Sequence, residues 1–378
     1  MSNRSKKREW GFSLVEMVVA TALGTTVLGA AVSIYIQGVN ATWTVTQRAE
    51  MQQDFRAASN ILKNDLSLAG AGLGQGAAIP LPTSATVPRY GCDQTPTCYI
   101  NSASGVNYPL NGGTPFIYGL LPGYGQGPTV NTMSTDTVTV IYTDPTFALN
   151  CYTATLASAT TVTFALPGTL TCTLPIGITT PQAISGGGLG LTAGDLIWFT
   201  FGSTQVVAEV TAVSGSTVTF GSDVSVLKMN QSTTTPNSLA YTFTKSGSVT
   251  GTGQRILVIT YYLDTSVSPS RMMRQVSGHS PMPVAENIVY LNFTYDLFNS
   301  STDAPALGCP SPGTAVACTA GSSSGLLPNQ ITKINISHMD IDSTVRSGMF
   351  GQNGYQRMDL QTSVSARNLT YVNNYPQN

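Results

Sequence analysis

The chain has 378 residues, a net charge of −1 and only 9% Asp, Glu, Lys and Arg, against about 25% in an average soluble domain. With 17 Lys+Arg against 18 Asp+Glu there is no basic face, which excludes a nucleic-acid binder working by counterion release. A hydrophobic content of 42% excludes a disordered chain. Two histidines leave little material for His-based catalysis or a His-rich metal centre.

The N-terminus carries Arg4, Lys6, Lys7 and Arg8 ahead of an apolar stretch, Phe12 to Ile36, broken by one charge, Glu16. No charged residue follows from Met17 to Gln47. As a helix rising about 1.5 Å per residue, this stretch extends about 37 Å, more than a hydrocarbon core of about 30 Å. The basic residues are expected to stay cytoplasmic and the rest of the chain to lie beyond the membrane. A secretory signal peptide fits poorly, because the apolar run is too long and no A-x-A cleavage site follows. A plain membrane anchor leaves Glu16 unexplained, since a carboxylate in a bilayer costs about 2.5–3.5 kcal/mol.

The leader ending in Gly11, followed by Phe12-Ser13-Leu14-Val15-Glu16-Met17, resembles the class III signal of type IV prepilins. The resemblance implies cleavage by a prepilin peptidase between Gly11 and Phe12, methylation of the new Phe12 amine, and retention of the apolar helix. It also implies that Glu16 neutralises an N-terminal amine, its own or that of a neighbouring subunit, during assembly. A buried carboxylate and a buried ammonium are each costly alone and tolerable together.

The helical pattern continues through Met51, Phe55, Leu62, Leu66 and Ala69, with polar residues between them, and no proline occurs before Pro80. The glycines at 70, 72, 74 and 76 are expected to end a helix spanning 12–69. Gly24, Gly29 and Gly38 are its weak points. Pilins commonly carry a helix-breaking proline in this half, and this chain does not. GAGLGQG at 70–76 follows a helix rather than opening one, so it fails as a phosphate loop.

Residues 70–135 read as a Gly/Pro-rich irregular region. From 136 to 378, strand signals dominate: 136–142, 161–166, 195–201, 204–213, 216–221, 239–244, 254–263, 287–298, 331–341 and 360–369, with a hairpin turn at Ser214-Gly215. The expected fold is therefore α+β: one long N-terminal helix, its first half (12–36) apolar enough to cross a membrane, packed on an antiparallel β-rich extracytoplasmic head. Cys92, Cys98, Cys151, Cys172, Cys309 and Cys318 form no CxxC pair and suit disulfides in an oxidising compartment. The nearest-neighbour pairing 92–98, 151–172 and 309–318 is one of many connectivities that six cysteines allow.

Two further segments carry a resemblance. Arg56, Ala58, Leu62, Asp65, Leu66, Ala69 and Gly70 match the helix run of PilW-type minor pilins and J-type pseudopilins of type II secretion. The stretch from Tyr261 through Glu286-Asn287 to Tyr295, and a final strand containing Arg367-Asn368, are similar to the same group. Residues 77–250 resemble nothing in it, and this extra length favours the PilW type. The resemblance implies a structural subunit that joins other minor and major pilins through its helix, primes a type IV pilus and stays near its tip. The same resemblance implies a start in the inner membrane and an end in the filament, with a tip adhesin as a candidate partner.

Rival readings are an anchored enzyme, an adhesin and a secretion pseudopilin. For the enzyme the candidate groups are His279 beside Ser280, His338 near Asp340 and Asp342, and Glu209. The histidines read as surface or satisfied side chains, and Asp340-x-Asp342 as solvated carboxylates lacking the other ligands of a calcium loop. No HExxH or Walker A motif occurs, and no catalytic residue, cofactor or metal is expected. For the adhesin, Tyr90, Tyr99, Tyr108, Tyr118 and Tyr124 are candidates for a binding face, with packing of charge-poor loops the simpler account.

Overall fold

The computed structural model describes residues 11–74, 78–83, 86–94, 97–100, 105–130, 132–170, 172, 174, 177–186, 189–221, 227–299, 304–312, 318, 325–342 and 357–369. The basic leader up to Trp10 lies outside them. The fold is α+β: a long N-terminal helix, Leu14–Ser67, and a large antiparallel β head. The chain divides into two units, Met1–Gln53 and Asp54–Asn378.

Over residues 12–36 of the first unit the chain is apolar and presents its large side chains outward, with Phe12 90% exposed and Leu14, Leu23, Val27, Leu28 and Ile34 more than half exposed. Thr21, Thr25 and Thr26 donate their hydroxyls to carbonyls three or four residues earlier, at 2.8–3.0 Å. These bonds satisfy the few polar groups of the stretch within the helix itself.

In the second unit the last helical turns bury Phe55, Ala58, Leu62 and Leu66. Their spacing of three and four residues places them on one face, and burying each large side chain stabilises by about 1.5–3 kcal/mol. The helix ends at Ser67 because Gly70 adopts φ +78°, a left-handed conformation that suits glycine. The exit then joins the sheet. The Gly70 N–H donates to Ile141 O, and the Thr143 N–H donates to Ala71 O, both at 2.9 Å.

The head is organised around one long strand, Val249–Asp264. On one side it pairs first with Thr153–Ser158 and then with Thr137–Thr143; on the other it pairs first with Leu196–Phe201 and then with Arg271–Val276. All four pairings are antiparallel. A second, four-stranded sheet has the order Ala304–Cys309, Ile288–Asn299, Ile331–Asp342, Arg357–Ser365. Asp136 ties the two sheets together. Its carboxylate accepts from the Asn292 side chain at 2.8 Å and the Phe293 N–H at 2.9 Å on one side, and from the Gly125 N–H at 2.8 Å on the other. Burial raises its pKa, and the Gly125 and Phe293 bonds oppose that rise.

Several expectations are corrected. Residues 239–244, which alternate like a strand, lie in a helix, Leu239–Ser246. The Ser238 hydroxyl caps it by accepting from the Tyr241 N–H, and Gly247 with φ +68° closes it. The same residues also satisfy the helical period, and the cap decides between the two. The stretch 70–135 is not wholly irregular, since among its described residues Thr114–Tyr118 pairs with Ala78–Pro80, and Leu120–Gly123 pairs with Thr137–Thr143. The run 204–213 breaks after Glu209, and Ala212–Ser214 turns through Gly215 onto Thr217–Thr219. The final strand stops at Ser365, and Arg367–Leu369 forms a helical turn.

Candidate functional site

The N-terminal segment begins with a reciprocal cap. Ser13 Oγ accepts from the Glu16 N–H at 3.2 Å, and Glu16 Oε2 accepts from the Ser13 N–H at 2.9 Å. This is a capping box, Ser-x-x-Glu, in which each side chain satisfies a backbone donor the helix start would otherwise orphan. The Ser-x-x-Glu spacing of this cap is visible in the sequence. Among the described residues, a Cβ at Gly11 would meet nothing within 4 Å, and Gly11 has no left-handed φ. Packing therefore does not require glycine there. The same openness holds at Gly24, Gly29 and Gly38.

A second polar centre lies inside the head. Asp65, buried on the last helical turns, accepts hydroxyl hydrogen bonds from Tyr142, at 3.1 Å, and Tyr261, and its Oδ2 meets Arg274 Nε at 2.9 Å. Three strands thereby converge on one helical carboxylate. Burial, then the charge of Asp65, raises the pKa of Tyr142 and of Tyr261 well above the ordinary tyrosine value. Nearby, Asn368 Nδ2 donates to the Ser67 carbonyl at 3.3 Å, so the C-terminal turn covers the end of the helix.

The candidate enzymatic groups are not brought together. His279 lies in a turn with Nε2 3.0 Å from Asp195, while Ser280 Oγ donates to Asp93 at 3.5 Å. The two neighbours face different carboxylates, not each other as a nucleophile and base must. Asp195 also lies 3.6 Å from Arg255, which in turn binds Asp144. Glu209 is buried, and its backbone N–H and carbonyl both bond the Asn230 side chain. His338 contacts Asp359 at 3.1 Å, and Arg357 holds Asp342 through two bonds of 2.7 and 3.0 Å.

The five tyrosines do not make one face. Tyr90, Tyr108 and Tyr118 are buried, Tyr90 and Tyr108 with ring centroids 5.0 Å apart. Tyr99 stacks on Tyr262 and donates to Asp93, and burial together with that carboxylate pushes its pKa up to about 12. Tyr124 alone of the five is mostly exposed. Sequence reasoning missed that Tyr142 and Tyr261 carry the specific polar contacts, because both sit in apolar strand runs.

The cysteines pair as Cys92–Cys98, Cys151–Cys172 and Cys309–Cys318, leaving none free. Among the described residues one helix, Leu14–Ser67, is long and apolar enough to cross a membrane. Comparison with protein-family models, curated proteins and solved structures finds no match to this chain.

Proposed function

We propose that the chain is a type IV pilin-like assembly subunit, of the kind PilW-type minor pilins represent, with a structural rather than a catalytic role. The precursor is cut by prepilin peptidase between Gly11 and Phe12, and the Phe12 amine is methylated. Phe12–Ile36 holds the product in the inner membrane with its N-terminus cytoplasmic. The same apolar stretch then moves laterally into a filament bundle with other minor and major pilins, and the head faces outward, near the tip.

The observation that carries this reading is the helix itself. Its first half exposes an unbroken apolar surface whose one acid, Glu16, is bonded to the first helical turn and no other element among the described residues. Such a surface needs lipid or other helices around it. Among the described residues packing gives no reason for glycine at Gly11, and a processing enzyme that reads this residue supplies one. The test is mass spectrometry of the native product together with a Gly11→Asp variant. The native chain is expected to begin at a methylated Phe12, and the variant to keep its leader. A native chain that still carries residues 1–11, or that has lost the helix, would overturn the proposal.

A further inference from the structure

In a chain with so few charges, five titratable groups gather on the solvent face of the last two strands: His338, Asp340 and Asp342 on Ile331–Asp342, and Arg357 and Asp359 on Arg357–Ser365. A bulge creates this grouping. Ile336 pairs with Thr362 while Met339 pairs with Leu360, so the strand carries one extra residue between them. The same slip recurs on its other side, where Asn292 pairs with His338 and Phe293 with Ile336. Strict alternation from Ile334 and Ile336 would send residues 338 and 340 inward. The bulge instead buries Met339 and Ile341 and turns His338, Asp340 and Asp342 outward.

The result places Asp340 directly opposite Asp359 across the ladder. Two like charges at facing positions destabilise a sheet unless something compensates them. Arg357 does not serve both, because its two bonds go to Asp342. Asp359 is contacted by His338 Nδ1 at 3.1 Å and by Gln361 Nε2 at 3.0 Å. Among the described residues, Asp340 Oδ1 has no hydrogen-bond partner, and it is shielded from solvent.

We propose that His338, Asp340 and Asp359 bind one divalent transition-metal ion, of which zinc is the type, and that this ion staples the last two strands together. One ligand atom from each residue lies within 4.8 Å of the others. The 3.1 Å between His338 Nδ1 and Asp359 Oδ2 suits two ligands of one tetrahedral ion, which sit about 3.3 Å apart when each bond is about 2.0 Å. A mixed imidazole and carboxylate set favours zinc-like ions over calcium or magnesium, which take oxygen ligands. The D-x-D spacing alone does not reveal such a site, since two of its three ligands come from the bulge and from the facing strand.

The composition makes the test clean. No cysteine is free, and the only other histidine, His279, bonds Asp195 beside the Arg255 cation. Untagged full-length protein in detergent is stripped of metal and titrated calorimetrically with Zn2+, Ca2+ and Mg2+ in turn. One Zn2+ per chain is expected, with X-ray absorption showing one imidazole and oxygen ligands. His338→Gln and Asp359→Asn should each weaken binding by more than the roughly 10–100-fold typical of losing a ligand's hydrogen-bond partner. His279→Gln should bind as the parent does. Circular dichroism confirms that each variant is folded, and the Asp359→Asn result decides if His338→Gln is not. The proposal fails if the parent takes up no Zn2+, if both variants bind as the parent does, or if Ca2+ binds equally well.

Discussion

Asp65 Oδ2 and Arg274 Nε meet at 2.9 Å although 209 residues separate them in the chain. The contact joins the last helical turns to strand Arg271–Val276 inside the head unit, and Tyr142 and Tyr261 complete the coordination of the same carboxylate. A buried acid is tolerated when its lone pairs are filled and a cation lies beside it. It also fixes the last helical turns, from Asp54 on, against the strands of their own unit, because each donor comes from a different strand.

Removing that acid should therefore cost more than its size suggests. Asp65→Ala leaves Arg274 and two buried hydroxyls without their acceptor, and a loss of about 3 kcal/mol is expected. Tyr142→Phe and Tyr261→Phe each remove one donor and should cost about 1 kcal/mol. Urea midpoints of the purified protein check the ranking. Tyrosine variants that cost as much as Asp65→Ala would contradict it.

The raised pKa values of Tyr142 and Tyr261 set an alkaline limit. The folded value lies above the unfolded value of about 10, so the unfolded state releases its phenolic protons first as pH rises. The stabilisation is complete below about pH 10 and is lost above it as pH climbs toward the folded value. Denaturation midpoints should fall above pH 10, and the fall should be shallower in the Tyr142→Phe, Tyr261→Phe double variant. A midpoint flat through pH 11 would refute this.

Glu16 has two separable properties: an oxygen that caps the helix and a negative charge. Glu16→Gln keeps an acceptor for the Ser13 N–H, whereas Glu16→Ala keeps neither. If the carboxylate serves an amine during assembly, both variants should be cleaved normally, and both should be depleted from sheared filaments about equally. Filament incorporation of Glu16→Gln at the parental level would reduce the residue's role to capping, worth about 1 kcal/mol.

Gly119 is held by proximity rather than by an unusual φ. A Cβ there would lie 2.4 Å from Gly70 Cα and 2.6 Å from Leu369 Cδ2. The helix exit, strand Leu120–Gly123 and the C-terminal turn meet at this point, and backbone on the exit leaves little room to yield. Gly119→Ala should cost about 1–3 kcal/mol in a denaturant titration, while Gly112→Ala tests only the φ of +58° in open space. A Gly119→Ala protein as stable as the parent would show that the three segments separate easily.

Much of the fold was legible along the chain. The helix end came within two residues of its position at Ser67, because the apolar spacing stops where the glycines begin. Most of the long strands announced themselves through β-branched and aromatic runs. Thr153–Ser158, Arg271–Val276 and Ala304–Cys309 did not, because Ala, Arg, Gly and Pro dilute the signal and only pairing with a longer neighbour makes them strands. Leu239–Ser246 was misread because six residues fit both periods. Tyr90, Tyr108 and Tyr118 looked available in a Gly/Pro-rich context, yet burial against the strands around them consumes all three.

Linear order was enough to mark a greasy helical stem with one acid near its start, three sequence-local cysteine couples and a β-rich remainder. Each of these rests on interactions between residues close together in the chain, or on composition alone. The convergence of Tyr142, Tyr261 and Arg274 on Asp65, and the facing of Asp340 against Asp359, belong to the tertiary structure. Strand order and a single-residue bulge decide which side chains meet, and neither leaves a periodic trace in sequence.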